Sequence, residues 1–366
     1  MLRENDPLRG LMGVVLWLML VVLAGFLMII GKAFLLPIII AVISVYVLVA
    51  ASNALARLPW VGRAPEWARR LAVLLGFVVF VFWLGGVMMS TATQVSVKMP
   101  EYQQNIDAIY NDLTGLLDFD ARPDINEMLE RMRAALPLRE IATTVLGSIS
   151  SAAGLIFMVL VYAVFLMGER GGFARKIAVA LPGDRAARTH RIIAEVNGAI
   201  GEYITVKTLV NAILGVLSFV TMAVLGVDFA LFWAVMIALL NYIPYIGSML
   251  GVVFPVMLSM AQFGSVQKTL MVAALLTAAQ IWVGNSLEPR MVGRRVNMSP
   301  FVVLVALALW SSVWGVAGAI LAIPLTAIAA IIMASFDSTR PFAVLLAENV
   351  EPFEADSSAA PAGQPE

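Results

Sequence analysis

The sequence contains no cysteine and one histidine, His190. Disulfides, thiolate nucleophiles and thiolate metal sites are therefore excluded, as is a metal site built from several histidines. Charge is scarce: 13% of the 366 residues are Asp, Glu, Lys or Arg, against about 25% in a soluble domain. The 24 basic and 24 acidic residues cancel, so nothing draws the chain generally toward nucleic acid. There is no Walker A sequence, no HExxH and no pair of aspartates inside an apolar run. These absences predict a protein that is not an enzyme and that carries no cofactor and no metal.

Apolar residues are abundant. They make up 61% of the chain, and the mean hydropathy is +0.92. Runs at roughly 11–30, 34–52, 71–89, 148–167, 204–225 and 268–284 each reach the ~20 residues that cross a bilayer. The first run is too long for a signal-peptide core and no small-residue cleavage pattern follows it, so it reads as a retained membrane helix. Two further regions, 229–262 and 299–333, are apolar but long and interrupted. The expected fold is an all-α polytopic membrane protein with about eight membrane segments.

Lys and Arg in short loops set the orientation. Arg57, Arg63, Arg69 and Arg70 place the second loop in the cytoplasm; Arg170, Arg175, Lys176, Arg185, Arg188 and Arg191 do the same for 168–203, and Arg290, Arg294 and Arg295 for 285–298. The acid-rich segment 90–147 falls outside. With the N-terminus cytoplasmic these assignments alternate without conflict. Tyr102, Ile106, Ile109, Tyr110, Leu113, Leu116 and Leu117 recur at helical spacing in the outside segment, and a second helix is expected from about Pro123 to Leu136. This segment reads either as a helical hairpin packed on the membrane domain or as a substrate-capturing lid. The expected divisions are 1–89 (scaffold helices), 90–147 (extracytoplasmic helical segment), 148–225 (membrane helices with a basic amphipathic cytoplasmic helix), 226–336 (hairpin-bearing region) and 337–366 (cytoplasmic tail, disordered at its end). The basic helix either lies on anionic lipid or is an ordinary solvated face, and His190 within it reads as structural.

The interrupted regions carry the functional signal. Asn241-Tyr242-Ile243-Pro244-Tyr245-Ile246-Gly247-Ser248 breaks the first into arms too short for a full crossing. Pro300 opens the second, Trp310-Ser311-Ser312-Val313-Trp314-Gly315-Val316-Ala317-Gly318 interrupts it, and Pro324 follows in the returning arm. Lipid cannot satisfy a non-helical tip, so such a tip is buried in protein or lines a wet cavity. Two interrupted segments of inverted orientation point to re-entrant hairpins around a transport site near the midplane; two kinked helix pairs in a packed bundle is the alternative.

Polar residues near the spans are few. Lys207 and Asn211 fall four apart in the first turns of 204–225, after Glu202; Lys207 either snorkels to the interface or takes a gating or coupling role. Gln280 and Asn285 end the run 268–284. Glu288, before Pro289 and Arg290, either caps the disrupted backbone or carries a coupling proton. Asp228 reads as turn chemistry.

Asn241-Tyr242-Ile243-Pro244-Tyr245-Ile246-Gly247, together with Asn285-Ser286-Leu287-Glu288-Pro289-Arg290-Met291-Val292-Gly293, resembles the autoinducer-2 exporter family of bacterial transporters. Ser299-Pro300, Trp310, Gly315, Gly318 and Ala322-Ile323-Pro324-Leu325-Thr326 agree. Val206-Lys207-Thr208 and the stretch from Gly226 to Val235 are similar to the branch named for quorum-signal export. The resemblance covers about residues 10–345. Ser248 stands where many members have proline, and Ser311 and Ser312 where many have glycine. The resemblance implies a multi-pass protein of the bacterial inner membrane, a homo-oligomer (a pentamer), elevator-like hairpin movement, and export of the small polar signal autoinducer-2. Other members are similar to sodium/proton antiporters, so an antiporter is the alternative, with a non-transporting scaffold behind it.

The expected substrate site is the meeting of the two tips: Asn241, Pro244, Gly247, Ser248 and Gly251 from one, and Ser311, Ser312, Gly315 and Gly318 from the other. The serines and Asn241 would offer hydrogen bonds, and the glycines close backbone approach. Trp310 and Trp314 would stack on the solute or anchor an interface. Glu288, Arg290, Lys207, Asn211 and Glu202 are the coupling or gating candidates. The expected partners are a small polar signal molecule, membrane lipid and further copies of the chain.

Overall fold

A computed structural model describes residues 7–57, 63–117, 154–169, 172, 175–176, 179–181, 183–292, 297–351 and 353. Every regular element among them is helical. The chain divides into two compact units, one of residues 1–45, 158–200 and 296–366, the other of 46–157 and 201–295.

The N-terminal run forms α1 (Pro7–Ile30) and α2 (Lys32–Ala56). Helix α3 (Glu66–Leu117) starts with Glu66 in its first turn, where a carboxylate favours the helix dipole and pairs with Arg70 four residues on. Its 52 residues extend about 78 Å, far more than a hydrocarbon core of about 30 Å. The membrane-like stretch ends at Val95. The expected division at 89/90 falls within this helix, which continues unbroken into the helical spacing seen through Leu117. The second outer helix expected at 123–136 lies outside the described residues.

Helix α4 covers Gly154–Glu169. Helix α5 (Gly183–Leu225, 43 residues) joins the basic amphipathic stretch and the following span into one rod. Lys207 and Asn211 therefore sit deep inside a helix and not in its first turns. Helices α6 (Ala230–Leu240) and α7 (Ile246–Phe263) follow, then α8 (Val266–Trp282), a π-helical turn (Val283–Leu287) and α9 (Glu288–Val292). The rest is α10 (Pro300–Trp314), α11 (Val316–Ala334) and α12 (Arg340–Leu346).

Six helical stretches among the described residues are long and apolar enough to cross a bilayer: α2, the first part of α3, α5, α7, α8 with its continuation, and α11. Large apolar side chains face outward along α1 and α3, as lipid contact requires. The chain is an all-α polytopic membrane protein.

Both interrupted regions are helical hairpins, α6–α7 (hairpin 1) and α10–α11 (hairpin 2), one in each unit. Their arms are unequal. The first arms have 11 and 15 residues, too short for a full crossing. The second arms have 18 and 19 and are long enough to cross, which the sequence reading did not anticipate. The cause is the position of each break: the chain turns over 241–245 and at Gly315 alone, so most of each region belongs to the returning arm.

The two hairpins share a construction. A positive φ stands immediately before each second arm, 61° at Tyr245 and 62° at Gly315. A glycine early in each second arm then lies against a carbonyl of the first. A Cβ on Gly247 would come 1.8 Å from Leu240 O, and one on Gly318 would come 1.8 Å from Trp310 O. The space beside both glycines is thus filled by the partner arm. A buried proline, Pro255 or Pro324, stands further along each second arm.

Trp310 and Trp314 are held by hydrogen bonds within their own unit. Trp314 is 3% exposed and its Nε1 donates to Met28 O at 3.0 Å; Trp310 Nε1 donates to Thr326 Oγ1 at 3.0 Å. Their rings lie 5.4 Å apart and pack with Leu36 and Leu321. At the other end of α11, Arg188 donates to Ser335 O and stacks over Phe336, a cation at a helix C-terminus.

Replacing Gly318 or Gly247 by alanine is expected to destabilise the protein by about 1–3 kcal/mol through overpacking, because the clash is with backbone. Gly85→Ala, which would meet nothing within 4 Å, is expected to be neutral. Thermal unfolding of the purified variants in detergent checks the contrast.

Candidate functional site

In an apolar unit, buried Lys207, Asn211 and Asn241 come together where hairpin 1 turns against α5 and the α8–α9 helix. Lys207 projects from α5. Its side chain is 7% exposed, and Nζ pairs with Glu288 Oε1 at 2.5 Å. Glu288 is 28% exposed. Lys207 does not snorkel to an interface; it is matched by a carboxylate on another helix. A buried lysine is costly unless paired, and pairing repays desolvation only when the geometry is good.

The π-helical turn supplies that geometry. The Glu288 N–H bonds to Val283 O, five residues back instead of four. The extra residue places Glu288 beneath buried Val283. In a regular α-helix Leu287 would hold that position, and Glu288 would be rotated by about 100°. Single π turns inside α-helices are frequent at functional sites.

A second set of bonds ties the hairpin tip to α5. Asn241 Nδ2 donates to Asn211 Oδ1 at 2.8 Å. The Thr208 hydroxyl donates to Ile204 O at 2.7 Å, so the 2.7 Å contact between Thr208 and Tyr242 is a donation from the Tyr242 hydroxyl. Asn211 is 1% exposed; its Nδ2 lies beside Tyr242 with no well-aligned acceptor. Buried Tyr203 stands one turn before Lys207 on the same face of α5. From α8, Gln280 Nε2 donates to Ser248 O at 3.2 Å. Beneath the cluster lies an apolar plug of Val210, Leu214, Ile237, Val272, Leu276 and Val283.

The tip itself is strained. Tyr245 has φ 61° and ψ −56°, and the Ile246 N–H bonds to Pro244 O at 2.6 Å, a γ-turn of the rare positive-φ kind. Ser248 donates to Tyr245 O at 2.8 Å, which leaves its oxygen as an acceptor. Gly251 faces Ile237 at ordinary contact distance.

Of the expected residues, Lys207, Asn211, Asn241 and Glu288 thus meet in one cluster, with Ser248 tied to its edge. Pro244 and Gly247 form the turn. Glu202 is half-buried on α5, and Arg290 is exposed on α9. Ser311, Ser312, Gly315 and Gly318 belong to hairpin 2 in the other unit. There Ser311 and Ser312 donate to Ala308 O (3.1 Å) and Leu309 O (2.7 Å), within their own helix. Thr208, Tyr242 and Tyr203 were missed as site residues. Tyr203, Lys207 and Asn211 stand at i, i+4 and i+8, a polar stripe on an apolar helix that was available as a signal.

Lys207→Met, which leaves Glu288 without its partner, is expected to destabilise the fold by up to about 3 kcal/mol, toward the low end for buried pairs because Glu288 keeps some solvent. Lys207→Met combined with Glu288→Leu is expected to recover most of that loss. A double-mutant cycle in thermal unfolding measures it.

Residues 16–337 match the family described as AI-2E family transporter. A provisionally named transport protein of Haemophilus influenzae is 30% identical over 300 residues, covering 80% of this chain and 84% of that protein. YhhT of Escherichia coli, also provisionally named for transport, is 30% identical over 284 residues, covering 76% and 80%. TqsA of the same species, named an AI-2 transport protein, is 29% identical over 284 residues, covering 75% and 78%. With a match that spans nearly its whole length, the chain belongs to the AI-2E family of transporters.

Proposed function

We propose that the chain exports a small, polar, uncharged solute across the bacterial inner membrane, and that autoinducer-2 is that solute. The observation that supports this reading is the cluster at the tip of hairpin 1. It offers amides, hydroxyls and a closed ion pair, but no unmatched charge. A hydroxyl-rich neutral molecule can exchange its bonds to water for bonds to Asn211, Asn241 and Tyr242. The relative named for AI-2 transport supports the choice of solute.

On this reading both hairpins re-enter the membrane with inverted orientation, the N-terminus is cytoplasmic, and the protein works as a homo-oligomer, a pentamer by family resemblance. Alternating access comes from elevator-like movement of the hairpin-bearing region. Ser248 supplies a further acceptor to that cluster; in the other unit Ser311 and Ser312 offer acceptors of their own, and Gly315, whose Cβ position is open, gives room for backbone approach. Glu202 and Arg290 flank the coupling pair.

A sodium/proton antiporter is the second reading, and the Lys207–Glu288 pair favours it. A carboxylate that can exchange its lysine for a cation or a proton is what exchange requires.

Proteoliposomes loaded with autoinducer-2 test both. Release above empty-liposome background is expected from the wild type, with at least a tenfold loss in Asn241→Ala. Acceleration by an imposed pH gradient, abolished in Glu288→Gln, would add proton coupling. Folded protein that releases no autoinducer-2 yet exchanges sodium for protons would overturn the first reading in favour of the second; neither activity would leave the scaffold reading.

A further inference from the structure

Asp228, expected only to shape a turn, is the hub of a second polar assembly at the opposite end of α6 from the candidate site. Beyond its membrane-like stretch, α3 presents Lys98, Tyr102 and Asn105 at i, i+4 and i+7, on one face. Lys98 Nζ donates to Asp228 Oδ1 at 2.6 Å, and the Tyr102 hydroxyl donates to Oδ2 at 2.8 Å. Asn105 Nδ2 donates to the carbonyls of Ala261 (3.1 Å) and Gln262 (2.8 Å). Gln262 closes the ring: its Nε2 donates to Gly226 O at 2.8 Å, and its Oε1 accepts the Asp228 backbone N–H at 2.7 Å. Tyr102 is buried; burial, and then its bond to Asp228, pushes its phenol up, so it remains a donor.

These bonds fall on the two open ends of hairpin 1. Asp228 lies just before α6 begins, and Ala261 and Gln262 lie in the last turn of α7. Phe229, between Asp228 and α6, has φ 57°. A phenylalanine holds a left-handed conformation only where its surroundings impose it. That residue sets the direction in which α6 leaves, and α6 leads directly to Asn241.

We propose that the extension of α3 is a strut that grips hairpin 1 by both open ends, so that hairpin 1 and α3 move as one body as solute passes, with Asp228 as a positioning residue for the tip. The docking stands on geometry alone; its persistence during transport rests on the transport reading above.

The absence of cysteine makes a direct test possible. A Cβ on Gly264 would lie 3.6 Å from that of Asn105, within the range a disulfide bridges; the φ of 57° at Gly264 strains a cysteine there, so the single variant Gly264→Cys, shown to be folded, is the reference. Asn105→Cys/Gly264→Cys is expected to cross-link fully under mild oxidation in proteoliposomes, with autoinducer-2 release within twofold of the same sample reduced. Failure to cross-link, or a tenfold loss of release that reduction restores, would overturn the strut. Hydrogen exchange needs no solute and separates a wrong strut from a wrong substrate. In Asp228→Asn, amides of 226–230 and 261–265 are expected to exchange at least tenfold faster than in wild type, while α8 keeps its wild-type rates. Unchanged exchange at the hairpin base would also sink the proposal.

Discussion

A lysine enclosed by apolar helices can remain charged only if an opposite charge is brought to it. Lys207 imposes that constraint, and the second unit is organised around meeting it. Glu288 comes from a helix that would aim it elsewhere if it were regular, so α8–α9 carries a π turn. Such a turn gives up regular backbone bonding, and it persists here beside a pair that would otherwise leave a bare charge. The same face of α5 carries Tyr203 and Asn211, so the pair and the amide network share one wall.

The tip of hairpin 1 meets a related constraint. Backbone that leaves the helix within an apolar setting must find partners for its N–H and C=O groups. Asn241 N–H bonds to Ile237 O, Gly247 N–H to Ile243 O, and Ile246 N–H to Pro244 O. The tip therefore satisfies itself through a strained turn, and the side chains of Asn241 and Tyr242 are released to face α5. Hairpin 2 turns more tightly, at one glycine with φ 62° and ψ −139°, and needs fewer such bonds. Its indoles brace it within its own unit instead. The shared glycine contact and the differing tips separate what a hairpin requires mechanically from what each carries chemically.

Much of this was legible in the sequence. Apolar runs and their interruptions gave the helices, and the Asn241 and Glu288 motifs marked two sides of one cluster. Three things were not legible, for physical reasons. Apolar periodicity says where a span lies but not that its helix continues into polar sequence, so α3 and α5 were divided where they are continuous. A π turn has no composition of its own, and it alone decides whether Glu288 or Leu287 faces Lys207. A turn aspartate reads the same whether or not distant residues reach it. The three side chains that reach Asp228 and the end of α7 lie on another helix more than a hundred residues away, spaced like any polar helix face.

The two functional readings differ in what they require of the ion pair. For a neutral solute the pair can remain closed. Asn211, Asn241 and Tyr242 change partners one for one, and the net charge of the cluster never alters. For a cation or a proton, Glu288 must release Lys207, and the lysine is then left as an uncompensated charge unless it moves, finds another acceptor or loses its proton. In a low-dielectric site that cost is several kcal/mol. Glu288 is the more exposed member of the pair, so release would begin from its side, while Lys207 is held among buried neighbours. Buried amides that can swap hydrogen bonds beside a charge pair with reason to stay shut fit passage of an uncharged molecule more closely than exchange of ions.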